Sequence, residues 1–138
     1  DKIDEYIDRH YRTIRKKEKR AVAGLSMGGF HSLFIALNHP EKFNYVGLLS
    51  AGLNTAFLDM TKPAYKDMEA KLKNFQKEGY ELFWIACGKD DFLYQNNLDF
   101  MKTCDNIGFE YTYHESERGH IWANWRQYLL LLTPMLFR

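Results

Sequence analysis

The sequence predicts an α/β fold of about four mainly parallel strands flanked by helices. Three observations carry that expectation. Short apolar runs alternate with longer amphipathic ones, the signature of strand–helix units. The first of those runs, RAVAGL, shows no period-two alternation, as expected of a strand covered on both faces of a parallel sheet. At 138 residues the chain has the length of one domain, enough to bury a real core.

The elements follow in order. Residues 3–14 have a helical pattern. The basic run RTIRKKEKR (12–20) then reads as a solvated helix end, where cations favour the negative pole of the helix dipole. No aromatic stacking platform accompanies it, so no nucleic-acid surface is expected. RAVAGL (20–25) is the first strand. From Met27 to about Asn38, Phe30, Leu33, Phe34 and Leu37 form one apolar helix face, and Pro40 ends the helix. YVGLLS (45–50) is the second strand. Residues 64–78 form a charged amphipathic helix closed by Gly79. LFWIAC (82–87) is the third strand, ended by Gly88. A helix over roughly 96–107 stops at Gly108, FEYTYHE (109–115) is the fourth strand, and the last helix runs from about Ile121 to Leu132.

Composition excludes several classes. The 46% hydrophobic and 27% charged content is that of an ordinary globular chain, although aromatics reach 16% and gather toward the C-terminal half. A net charge of +1 creates no field toward nucleic acid or an anionic membrane. No run approaches the ~18 apolar residues of a membrane span. Two cysteines make no disulfide framework, and Cys87, inside an apolar run, reads as a buried thiol. No Cys/His/Asp spacing suggests a metal site, and no cofactor is expected.

One short stretch carries chemistry. GLSMG (24–28) fits Gly-x-Ser-x-Gly, the nucleophile elbow of α/β-hydrolases. Such a serine must sit on a sharp strand-to-helix turn so that Oγ projects above the sheet edge. Any Cβ on the flanking residues Gly24 and Gly28 is expected to collide with the neighbouring strand or helix. The Met27 amide, at the helix N-terminus, would face a developing oxyanion. The required context, strand before and helix after, is present.

Ser26 as nucleophile needs an acid and then a histidine further along the chain. CGKDDFLY places Asp90 and Asp91 just after the third strand, and residue physics does not choose between them. SERGHIW places His120 after the fourth strand. His114 lies within that strand, where the sheet would hold it. His31 and His39 look structural, and His10 solvated. Trp122 and Trp125, just beyond His120, either pack the last helix or form an aromatic wall for substrate.

RAVAGLSMGG, HPEKF, CGKDDFLY and GHIWANWR, in this order, resemble the esterase D-like branch of α/β-hydrolases, which includes feruloyl and acetyl-xylan esterases, S-formylglutathione hydrolases and mycolyltransferases. The resemblance covers nearly the whole chain. It implies a serine carboxylic ester hydrolase acting through an acyl-enzyme, on feruloyl or acetyl esters of plant polysaccharides. It also implies nucleophile Ser26, base His120 and, through the spacing Gly-x-x-Asp, acid Asp91. Trp122 and Trp125 would contact the sugar or phenolic group. Arg118 departs from the family's usual glycine, and residues 53–80 are shorter than the usual insert. A secreted or periplasmic location is implied by the resemblance alone.

In that fold about four strands precede the nucleophile strand, whereas about twenty residues precede it here. The chain is therefore expected to be one domain forming the C-terminal portion of a larger hydrolase domain, a partial α/β-hydrolase fold without its N-terminal strands or its second oxyanion loop. Ala21–Leu25 would be an apolar sheet edge, which proteins normally cover. A preceding segment is the expected cover; the alternatives are a second copy or a four-stranded sheet that stands alone. Two rival readings remain: a non-catalytic hydrolase-like module that binds carbohydrate or another chain, and an S-formylglutathione-type thioesterase.

Overall fold

The structure, a computed structural model, describes residues 2–53, 58–59 and 61–138; the rest of the short insert (54–57 and 60) lies outside the described residues. Among the described residues four strands form one parallel sheet in the order β1(Ala21–Leu25), β2(Tyr45–Leu49), β3(Leu82–Gly88), β4(Thr112–Ser116). Helices α1(Lys2–His10), α2(Met27–Asn38), α3(Met68–Glu78), α4(Tyr94–Ile107) and α5(Trp122–Leu132) alternate with them.

The pleat divides the core. Val46, Leu48, Phe83 and Ile85 face α2, α3 and α4, and pack with Leu33, Leu37, Leu72, Phe75, Phe100 and Met101. The intervening positions Leu49, Trp84 and Ala86 face α5 and pack with Tyr128 and Leu132. Fully burying one such large side chain stabilises by roughly 1.5–3 kcal/mol. The sheet is thus a middle layer, and every strand points its carboxyl end at the same edge.

Three element ends and the burial of β1 differ from the sequence expectation, each for a physical reason. Helix α1 stops at His10 instead of residue 14, and the basic run continues irregularly around a short turn of 3₁₀ helix at Lys17–Lys19. A continued helix would align Arg12 with Lys16, Arg15 with Lys19 and Lys16 with Arg20, all like-charge pairs. Arg20 and Arg15 instead turn back to Asp8. The run is solvated as expected, but it is not a helix end.

Strand β1 is not buried on both faces: it is half-buried, with Ala23 exposed, because it is the sheet edge. Helix α3 begins at Met68 because Asp67 takes a left-handed backbone (φ 57°) that interrupts the turns before it. Strand β4 begins at Thr112. The backbone before it is used elsewhere: the Phe109 N–H donates to the Cys104 carbonyl at 2.9 Å, closing α4 after the left-handed Gly108. The Glu110 N–H donates to Gln76 Oε1 at 2.7 Å.

Among the described residues no helix is long and apolar enough to cross a membrane.

Candidate active site

Ser26 sits where β1 becomes α2, with φ 57° and ψ −116°, a backbone region that side chains rarely adopt. Three backbone hydrogen bonds hold it there. Its N–H donates to the Leu49 carbonyl at 2.9 Å, and its carbonyl accepts from Phe30 at 3.2 Å and Gly52 at 3.1 Å. Such over-determination is what lets a strained residue persist. Its hydroxyl does not cap α2, and among the described residues it makes no hydrogen bond to His120.

The glycines of the elbow are not equivalent. A Cβ on Gly24 would lie 2.1 Å from the Gly28 carbonyl, so no side chain fits. A Cβ on Gly28 meets nothing within 4 Å, which corrects the collision expected there. The second close approach belongs to Gly29, whose Cβ would lie 2.5 Å from that of Ala51. Met27 follows Ser26 as the first helical residue; its side chain is exposed and its amide is one of the donors a helix start leaves unpaired.

The acid loop and the histidine loop are zipped together. Lys89 N–H donates to the Ser116 carbonyl at 2.8 Å and Asp90 N–H to that of Arg118 at 3.0 Å. Asn124 Nδ2, from α5, donates to the Glu117 and Gly119 carbonyls at 2.9 and 3.0 Å. A Cβ on Gly88 would lie 2.1 Å from the Arg118 carbonyl oxygen, so the loops touch because position 88 lacks one.

This zipper brings Asp91, not Asp90, to His120. Asp90 is exposed, whereas Asp91 is 4% exposed and its Oδ1 also accepts the Leu93 N–H at 2.9 Å. His120 Nδ1 donates to Asp91 Oδ2 at 2.9 Å, with Oδ1 at 3.1 Å. A carboxylate can only accept, so Nδ1 carries the proton and Nε2 keeps a free lone pair. Such a ring can take a proton at Nε2 while the carboxylate stabilises the resulting imidazolium.

Two rings adjoin the imidazole: Phe92, with centroids 4.7 Å apart, and Trp125, edge-on at 4.9 Å and 82°. Trp122 meets Trp125 at 5.2 Å but is 71% exposed, so core packing describes Trp125 and not Trp122. Of the other histidines, His114 is stacked on Trp84 within β4, His31 is exposed, His39 pairs with Glu41, and His10 bonds the Tyr6 carbonyl. Burial pushes the Cys87 thiol up to about 12, in keeping with an inert core residue.

Two residues escaped sequence reasoning. Phe92 is 76% exposed beside His120, and an apolar residue directly after the candidate acid was its available signal. Ser50 is wholly buried, and only its place at the end of the YVGLLS run marks it.

Parallel strands, a strained serine at the end of the first, and after the third and fourth a buried Asp91 bonded to a half-buried His120 define an α/β-hydrolase fold. The Esterase family model, described as "Putative esterase", matches residues 1–134, and the chain belongs to that family. It is 48% identical over its full length to an endo-1,4-beta-xylanase/feruloyl esterase of Xylanibacter ruminicola, of which it covers 17%. It is 29% identical, over 83% of its length, to an acetyl esterase of Caldicellulosiruptor saccharolyticus, of which it covers 53%. A crystal structure of S-formylglutathione hydrolase from Staphylococcus aureus superposes on 96% of the chain with a TM-score of 0.78 at 28% identity, covering 57% of that protein. The chain therefore spans about half or less of the proteins it matches.

Proposed function

We propose that the chain carries the catalytic triad of a serine carboxylic ester hydrolase, acting on feruloyl or acetyl esters of plant polysaccharides. One observation carries the reading: a buried Asp91 carboxylate fixes the His120 tautomer at the same sheet edge to which the strained elbow raises Ser26. In the proposed first step His120 Nε2 takes the Ser26 hydroxyl proton as Oγ attacks the ester carbonyl. The tetrahedral oxyanion is met by the Met27 amide, a type of donor worth about 3–4 kcal/mol in the transition state. His120 then protonates the departing alcohol, leaving an acyl-serine. Water, deprotonated by the same nitrogen, releases the acid.

The substrate class is supported by the names of the two relatives, an acetyl esterase and a xylanase/feruloyl esterase. The exposed rings of Trp122 and Phe92 would suit a phenolic acyl group or a sugar. Likeness to an S-formylglutathione hydrolase favours a thioester as the second reading.

The test is fluorophosphonate labelling of the 138-residue chain and its Ser26→Ala variant, with turnover of acetyl, feruloyl and glutathione thioesters compared. Labelling confined to the parent chain, with a turnover loss of about 10⁶-fold in the variant, is expected for a serine nucleophile. Labelling that survives in Ser26→Ala sinks the triad. Preference for the glutathione thioester selects the second reading.

A further inference from the structure

Ser50 is a buried hydroxyl that the proposed chemistry does not use. It directly follows β2, is 0% exposed and has a left-handed backbone at φ 43°. Its N–H donates to the Ala86 carbonyl at 2.8 Å. Its Oγ accepts the Trp125 Nε1–H at 3.2 Å. The Tyr128 hydroxyl, from the same helix, lies 2.6 Å from Ser116 Oγ at the end of β4. Two aromatic side chains of α5 are thereby tied to the carboxyl ends of β2 and β4.

We infer that Ser50 and Trp125 form a brace that holds the His120 ring on Asp91. Both are positioning residues, and the inference rests on reading His120 as the base. The Asp91 contact secures one ring atom, Nδ1. The ring plane is set by the surfaces beside it: Phe92 is 76% exposed, and the half-buried Trp125 meets the ring edge-on at 82°. An indole held by packing alone could rotate. Its N–H is instead anchored on a hydroxyl with no access to water.

A serine at positive φ is strained, and a purely apolar contact would need neither the hydroxyl nor the strain. The pairing also spans β2 and α5, so it sets where Nε2 points relative to the elbow. Misplacing a catalytic group by about 1 Å can cost on the order of 10²-fold in rate.

The test uses the whole chain and two variants. Trp125→Phe keeps a ring but deletes the donor. Ser50→Gly deletes the acceptor while relieving the positive φ, which guards against simple unfolding. The readout is the downfield proton resonance of the His120 Nδ1–H, which is seen only while that proton is shielded from solvent exchange on Asp91. The expected result is a resonance in the parent chain and in Ser26→Ala that is lost to exchange in folded Trp125→Phe and Ser50→Gly. On p-nitrophenyl acetate both variants should lose roughly tenfold in kcat with KM unchanged, and the double variant should fall no further. Persistence of the resonance in both variants overturns the brace, as does its absence from the parent chain. Unfolding of both variants also overturns it, by assigning the pair to the core. Because the resonance is read without turnover, failure of the hydrolase reading, seen as no probe labelling, is separable from failure of the brace.

Discussion

At residue 118 an exposed arginine occupies a backbone at φ 65°, in the left-handed region that favours glycine. The position lies between the two zipped loops, with its carbonyl accepting the Asp90 N–H, and a glycine would adopt its backbone without strain. Arg118→Gly is expected to hold or raise stability, and Arg118→Val to lower it by about 1–2 kcal/mol, measured by urea unfolding. A loss in both variants would show that the guanidinium itself matters. Asp91→Asn tests the site at the same scale. It keeps the shape but can donate, which favours the wrong imidazole tautomer. A fall of about 10⁴-fold in kcat with the fold retained is expected. Cys87 and Cys104 are buried, and their thiols are pushed up to about 12 by that burial. Neither should react with an aromatic disulfide reagent at pH 8 until the chain is unfolded in denaturant.

Neither β1 nor α1 contains a buried residue. Ala21–Leu25 is an edge strand whose outer backbone groups are unpaired within the described sheet. A longer chain that lays a parallel strand beside it should turn over esters much faster than these 138 residues alone. Equal rates would show that the edge is indifferent to catalysis. Helix α1 buries no residue, and ion pairs tie it down: Lys42 to Asp4 at 2.7 Å and Arg20 to Asp8 at 2.5 Å. The Lys42 ammonium holds the Asp4 carboxyl well below the usual carboxylate range. A depressed carboxylate contributes stability that is complete above its ordinary value of 3.8 and fades as pH falls through the folded one. Amide protection factors in residues 2–10 should therefore fall below about pH 4 while β2 and β3 stay protected.

For the molecule as a whole, the decisive feature is that all strands run the same way. One sheet edge then collects every strand-to-helix turn, and residues far apart in sequence meet there. An apolar groove of about 710 Å³, lined by Ile3, Ile7, Ile14, Phe43 and Phe137, lies instead at the amino end of β1, opposite the end that carries Ser26.

The sequence by itself determined the strand–helix alternation, the Gly-x-Ser-x-Gly turn at Ser26 and the chain order of the proposed serine, acid and histidine. These are local properties, written in short apolar runs, glycine stops and a five-residue motif. Element ends were less legible: β4 starts late because Phe109 and Glu110 commit their backbone to α4 and to Gln76, contacts that no local pattern records. Residue physics left Asp90 and Asp91 open and only the resemblance chose Asp91; tertiary structure showed that Asp91 faces His120 while Asp90 faces solvent, that Gly29 rather than Gly28 must lack a Cβ, and that Ser50 bonds Trp125. The reason is sequence distance. The Asp91–His120 bond joins residues 29 apart and the Ser50–Trp125 bond residues 75 apart, and only packing across the sheet brings such pairs together.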